Sequence, residues 1–331
     1  MMNALEKFEP APYLRAPMVQ TTIASLKLLA RGRNAMKAAA REIIFSTFDG
    51  IRLQTYYSPR PFEHEKGLVI LIHGWEGSAE SAYILHAGRW FFDRGYSVVR
   101  LNLRDHGESH GLNSGLFYAT LLDEVKDAVS QAARMAGHRP AFLVGFSLGG
   151  NFALRIAASG LPRTANNLRH IAAISPVLDP RKATAAIDAN PFIRSYFLKK
   201  WQKSLRKKQR LFPNLYDFTD VLSLNSCGKI TDALITTYSA YRNAGDYFSR
   251  YALTGIHPLE FRIPVVIIAA ADDPIIPVED FKCLHIDDAA RLIIHPRGGH
   301  NGFVQNLFQP RWYERFLAET FDSISSRRKT G

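Results

Sequence analysis

In Gly145-Phe146-Ser147-Leu148-Gly149-Gly150 a serine sits in a G-x-S-x-G pattern. An apolar run, Ala141-Phe142-Leu143-Val144, precedes it and a helix-forming run, Asn151 to Ala158, follows. At a tight strand-to-helix turn the serine hydroxyl is pushed out above the sheet end. The helix that begins there points backbone N–H groups and a positive dipole end at any developing oxyanion. Without those flanks the pattern would be a glycine-rich turn with a bystander serine. A serine nucleophile needs a base, and the base needs an orienting acid. Ala271-Asp272-Asp273-Pro274-Ile275-Ile276-Pro277 follows a late apolar run, and Gly298-Gly299-His300-Asn301-Gly302-Phe303 follows the last one. The reading is Ser147 as nucleophile, His300 as base and Asp273 as acid, with Asp272 as the rival acid. An aspartate there would otherwise only N-cap a helix near Pro277. The glycines beside His300 are expected to let the imidazole reach back to the serine. Two donors are needed for an oxyanion hole. The candidates are the backbone N–H groups of Leu148 and of Trp75, in His73-Gly74-Trp75-Glu76-Gly77. His73 reads as a buttress of that loop, and His295 as a core or surface residue. Asp105, His106 and Glu108 are metal-ligand types, but nothing else completes a metal site, so they read as loop hydrogen bonders.

Elements of the right kind surround these residues. Two β-rich runs, 42–48 and 51–57, flank Asp49-Gly50, a strong hairpin signal, so the first two strands should be antiparallel. The run 67–73 is continuously apolar, as a strand covered on both faces should be. Strands are also expected at 96–101, 141–144, 168–174, 263–270 and 290–294, and helices at 79–94, 119–136 and 309–326. This alternation predicts an α/β fold with a doubly wound sheet. It breaks between 179 and 258, which is helical, aromatic and basic and reads as a cap inserted between the sixth and seventh strands. The expected organisation is an N-terminal arm (1–40), a core (41–178 and 259–331) and a helical cap (179–258). The arm has prolines at 10, 12 and 17, then a basic amphipathic helix from Thr21 to Arg41. In the cap, Lys199, Lys200, Lys203, Arg206, Lys207, Lys208 and Arg210 read as a solvated helix face.

The chain has 331 residues, a net charge of +12 and two cysteines, Cys227 and Cys283, in no metal or framework spacing. A reducing, cytoplasmic setting is expected. No apolar run is long enough to span a bilayer. The positive balance favours anionic partners. The expectation is a weak peripheral contact with an anionic membrane surface, and no nucleic acid.

With Ser147, Asp273 and His300 in that order, the chain resembles the α/β-hydrolase superfamily. It looks most like the YheT-like branch, related to abhydrolase-domain esterases and lipases. Pro10-Ala11-Pro12-Tyr13-Leu14 with Gln20-Thr21, Asp246-Tyr247-Phe248, Ala271-Asp272-Asp273-Pro274 and Gly299-His300-Asn301-Gly302-Phe303 carry the likeness. Arg104-Asp105-His106-Gly107-Glu108-Ser109 departs from it, standing where many relatives have an R-G-x-S-G-like loop. The resemblance implies a mostly parallel eight-stranded sheet with helices on both faces and a cap. It also implies serine-ester hydrolysis without metal or organic cofactor, on a small-molecule ester or lipid-like substrate. The same triad serves thioesterases, amidases and acyltransferases. A non-enzymatic binder of polyanions or membranes would use the basic surface but would have no need of the elbow.

Overall fold

The computed structural model describes residues 8–26, 34–255 and 259–326. The strands are β1 (Arg41–Ser46), β2 (Arg52–Ser58), β3 (Gly67–Ile72), β4 (Tyr96–Leu101), β5 (Ala141–Phe146), β6 (Leu168–Ile174), β7 (Val265–Ala270) and β8 (Ala290–His295). They form one eight-stranded sheet in the order β1-β2-β4-β3-β5-β6-β7-β8. β2 runs antiparallel to both β1 and β4, and the remaining neighbours are parallel. Helices α1 (Pro17–Ser25) and α2 (Ala35–Ala38) precede the sheet, and α3 (Ala82–Asp93), α4 (Leu122–Met135) and α5 (Leu148–Ser159) connect its strands. Between β6 and β7 come α6 (Pro180–Ala189), α7 (Pro191–Leu211), α8 (Thr219–Ser223), α9 (Cys227–Tyr238) and α10 (Ala244–Ser249). α11 (Val278–Lys282) follows β7, and α12 (Trp312–Ser326) follows β8.

The central strands are apolar throughout because both faces are covered. Alternate side chains of a strand point to opposite faces. Leu68, Ile70 and Ile72 of β3 join Leu143 of β5 and Ile267 of β7 in one layer, under α4 and α5. Val69 and Leu71 join Phe142, Val144 and Ile268 in the other, against Phe91 of α3 and Trp312, Leu317 and Phe321 of α12.

Two expectations need correction. The first hairpin pairs Ser46 with Arg52, so both strands stop short of the Asp-Gly pair and a five-residue turn, 47–51, joins them. Gly50 takes φ +75° there, and Thr47 donates its N–H to Ile51 O at 2.8 Å. The continuous helix from Thr21 to Arg41 is absent. α1 starts earlier, with Pro17 at its first turn, and ends where Leu26 becomes extended (φ −75°, ψ 110°). α2 is a single turn capped by Asn34, and Arg41 is already paired with Tyr57 in the sheet. Lys27, Leu28, Leu29, Arg31 and Arg33 of that expected helix lie outside the described residues.

α6 and α7 begin alike, each with proline at the first turn. Asp179 accepts the N–H groups of Arg181 and Lys182, and Asn190 those of Phe192 and Ile193. Asp188 ties α6 to the start of α9, accepting from the Ser226 hydroxyl (2.7 Å), Cys227 N–H (2.7 Å) and Gly228 N–H (2.9 Å).

Candidate active site

β5 delivers Ser147 to its turn at φ 55°, ψ −116°, a region a non-glycine residue rarely occupies. The surrounding backbone fixes it there. Ser147 N–H donates to Ile174 O at 2.9 Å, and its carbonyl accepts from Asn151 N–H (3.1 Å) and Val177 N–H (3.2 Å). A methyl group on Gly145 would run into the Gly149 carbonyl, and one on Gly149 into the carbonyls of Ile72 and His73. Those two glycines are required by backbone meeting backbone.

His300 and Asp273 meet across the ends of β8 and β7. His300 Nδ1 lies 2.8 Å from Asp273 Oδ2, with both side chains nearly inaccessible to solvent. The other Asp273 oxygen accepts from the N–H groups of Ile275 (2.8 Å) and Ile276 (3.0 Å), so this carboxylate is held on both sides. Asp272 points elsewhere and accepts the Gly299 N–H at 2.9 Å. Burial raises its pKa, and the neighbouring Asp273 charge adds to that rise. The histidine loop is also gripped from α1. His300 N–H donates to Thr21 Oγ1 at 2.9 Å, and that hydroxyl donates to Pro17 O at 2.8 Å. Gln20 is fully buried. Its amide donates to Val304 O (2.9 Å) and Leu14 O (2.8 Å), and its oxygen accepts from Val304 N–H (2.9 Å). A methyl group on Gly299 would collide with Gln20 Cβ at 2.8 Å, and one on Gly302 with Gln20 Oε1 at 2.7 Å. Gly299 and Gly302 thus make room for the arm, and Gly298 and Gly299 also take positive φ (149° and 54°) in the loop that carries His300.

The loop after β3 carries Trp75 beside the serine. His73 is buried and neutral: its Nε2 accepts from Leu103 N–H at 3.2 Å, which leaves Nδ1 to donate to Gly74 O at 2.7 Å. Burial, together with nearby His106, holds its pKa well below the usual histidine value. Gly74 N–H donates to Tyr83 Oη at 3.0 Å. Trp75 stacks on Phe197 of α7 (5.1 Å between centroids) and meets Trp201 edge-on at 4.7 Å. Leu148 opens α5 directly after the serine. His295 lies in the core, edge-on to Trp312 at 4.2 Å.

Two cavities share Ser147 and Trp75 in their walls. One runs under the α6–α10 segment, with Leu148, Leu116, Phe117, Ile187, Leu234 and Phe248 in its lining. The other is lined by His300, Ser25, Tyr83, Tyr196 and Lys200. Glu76 also faces the first cavity, and burial pushes its carboxyl up to about 8 against the pull of Lys200.

The basic cluster of α7 does not form one solvated face. Lys208 is buried, and its ammonium donates to Asp105 Oδ1 (2.7 Å), Asn113 O (2.8 Å) and Gly115 O (2.9 Å). Lys200 donates to Glu76 O at 2.9 Å, and Lys207 pairs with Glu108 at 2.5 Å. Asp105, at φ 55°, takes Phe117 N–H on its second oxygen at 3.0 Å, and Arg104 pairs with Glu124. His106 donates from Nδ1 to Arg104 O at 2.7 Å, and burial lowers its pKa to about 4. The residues of this loop are thus hydrogen bonders to their own loop and to α7. Among the described residues no group of three or more His, Cys, Asp or Glu side chains is arranged to hold a metal ion. No helix among them is long and apolar enough to cross a membrane.

Sequence reasoning missed the inward turn of Lys200 and Lys208 and the cavity-facing Glu76. A signal existed for the lysines. Phe197, Lys200, Trp201, Ser204, Leu205 and Lys208 share one helical face by their spacing, and of its apolar members Leu205 is buried while Phe197 and Trp201 are half-buried.

The sequence model of the alpha/beta hydrolase family matches residues 69–317. A Synechocystis sp. protein named "Putative esterase slr0264" is 26% identical over 333 residues, covering 92% of this chain and 89% of its own. The Escherichia coli protein named "Putative esterase YheT" is 24% identical over 278 residues, covering 80% of this chain and 79% of its own. Among solved structures, a membrane phospholipase A described as a bacterial virulence factor superposes with a TM-score of 0.54 at 20% identity, covering 93% of each chain.

Proposed function

The chain belongs to the alpha/beta hydrolase family, and from that premise we propose that this hydrolase is a serine esterase acting through Ser147, His300 and Asp273. One observation carries the reading: a histidine paired with a buried carboxylate at 2.8 Å lines the same cavity as a serine in a strained elbow. The esterase names of two relatives support the ester as substrate.

Ser147 Oγ attacks the ester carbonyl carbon as His300 takes its proton. Asp273 fixes the imidazole tautomer and stabilises the imidazolium. The tetrahedral oxyanion is held by the backbone N–H groups of Leu148 and Trp75. Collapse breaks the carbonyl carbon–alkoxy oxygen bond, and the alcohol leaves with the proton from His300. Water then attacks the acyl-enzyme, giving its proton to His300, and the acid departs as Ser147 regains one.

The proton traffic sets the substrate's orientation. The leaving oxygen must lie where His300 protonates it, so the alcohol occupies the cavity of His300, Tyr196 and Lys200. The acyl chain then enters the cavity of Leu116, Phe117, Leu234 and Phe248, whose lining suits an apolar, lipid-like chain. The helices between residues 179 and 258 act as the cap of that chamber.

A fluorophosphonate probe tests the nucleophile: wild type is labelled and Ser147→Ala is not. A panel of matched esters, thioesters and amides of graded acyl length tests the substrate. Faster turnover of esters is expected; no labelling, or turnover of amides alone, would overturn the reading.

A further inference from the structure

α7 carries two sets of basic residues. Lys200, Lys207 and Lys208 are engaged with the loops after β3 and β4. Lys199, Lys203, Arg206 and Arg210 are exposed, and among the described residues none of the four is in an ion pair. Phe192 and Tyr196 belong with this second set, 82% and 44% exposed. At 3.6 residues per turn, positions 192, 196, 199, 203, 206 and 210 fall within an arc of about 80° and along about 27 Å of helix. The buried residues of α7, Ile193, Leu205 and Lys208, lie outside that arc. The outer face is therefore one straight stripe, aromatic at its N-terminal end and cationic along the rest.

We propose that this stripe docks the protein on an anionic lipid surface. Four exposed cations outside any ion pair among the described residues fit a layer of negative headgroups, and two exposed rings at one end fit the headgroup–acyl boundary. A cationic stripe alone would suit any polyanion; a phenylalanine this exposed beside it selects a surface with an apolar interior. Position agrees with this. Tyr196 belongs both to the stripe and to the cavity that holds Ser147 and His300, so docking sets that cavity at the lipid. The docking itself does not rest on the esterase reading.

Co-sedimentation with phosphatidylcholine vesicles, with and without phosphatidylglycerol, at low and high salt, tests it. Wild type is expected to pellet with phosphatidylglycerol vesicles at low salt and to be released by high salt, because surface charges are screened within roughly 10 Å at 0.1 M. The variant Lys199→Gln/Lys203→Gln/Arg206→Gln/Arg210→Gln should bind roughly tenfold less or weaker still, while hydrolysing a soluble short-chain ester at the wild-type rate. Phe192→Ser should weaken vesicle binding while leaving turnover of a soluble short-chain ester unchanged. Wild type remaining in the supernatant in all four conditions would overturn the proposal. So would full binding by the quadruple variant, or an unchanged vesicle affinity in Phe192→Ser. Because ester turnover is read separately, an inactive enzyme that still pellets would overturn the esterase reading and leave the docking intact.

Discussion

Ser147 is flanked by two regions that are fixed by different physics. On the His300 side, α1 grips the loop through neutral groups: the Gln20 amide on Val304 and Leu14, and the Thr21 hydroxyl on His300 N–H. On the other side, α7 meets the loop after β4 through charge, with Lys208 on Asp105 and Lys207 on Glu108. A neutral side chain with all its donors and acceptors met holds a backbone in place at every pH and salt concentration. A buried ion pair does not have that indifference. Burial raises the Asp105 pKa to about 6 and lowers that of Lys208, each against the attraction of its partner. Both shifts oppose ionisation, so the pair sets the register of α7 on its loop more than it adds stability. The histidine side is built for fixed position, and the α7 side for a specific but conditional closure.

The largest effect tests whether these regions flank a reaction at all. Ser147→Ala should lower kcat by about 10⁴–10⁶ with the fold intact; a variant with near-wild-type turnover would leave the comparison without a centre. Asp273→Asn should cost far more rate than Asp272→Asn, since Asp273 faces the imidazole and Asp272 only the Gly299 N–H. The reverse order would give the acid role to Asp272.

Next come the two anchors themselves. Lys208→Met strands Asp105 as a lone buried carboxylate and should cost about 3–5 kcal/mol in urea unfolding, whereas Lys208→Met with Asp105→Asn, which removes the charge, keeps an acceptor for Phe117 N–H and tolerates the positive φ, should recover part of it. If the double variant is as unstable as the single one, the pair is a stability device and the contrast fails. Gln20→Ala leaves the Val304 N–H and carbonyl without their partner and should cost about 2–4 kcal/mol. It should also lower kcat more than it raises KM, because what moves is the base. An unchanged kcat in folded protein would show that α1 supports the fold and not the histidine.

The remaining effect is a pH slope. The folded-state pKa of Glu76 is raised to about 8 from 4.5, so the folded chain holds a proton that the unfolded chain has lost. That contribution to stability is complete below about pH 4.5 and is lost as pH rises through about 8. Thermal melts of wild type should therefore lose stability across that window, and Glu76→Gln should flatten the decline. Parallel melting curves for the two proteins would remove Glu76 as its source.

Local chemistry determined a good deal of this protein from the sequence. Gly145, Ser147 and Gly149 spell a turn between a strand and a helix because a tight turn demands small residues at fixed neighbours. Unbroken apolar runs such as 67–72 mark strands covered on both faces. Ser147, then Asp273, then His300 follow from residue type and from position after a strand. What required the tertiary structure was every choice made by partners distant in the chain. Asp273 and Asp272 are adjacent and chemically identical, and only the loop 27 residues on separates them, one taking the imidazole and the other a backbone N–H. Gln20 lies 284 residues from Val304, so nothing in either local sequence announces the clamp. The seven basic residues between 199 and 210 carry the same charge. The Asp105 loop draws Lys208 inward and leaves Arg206 and Arg210 in solvent, because a side chain's fate in a helix is set by what packs against its face, and that is decided only when the chain has folded.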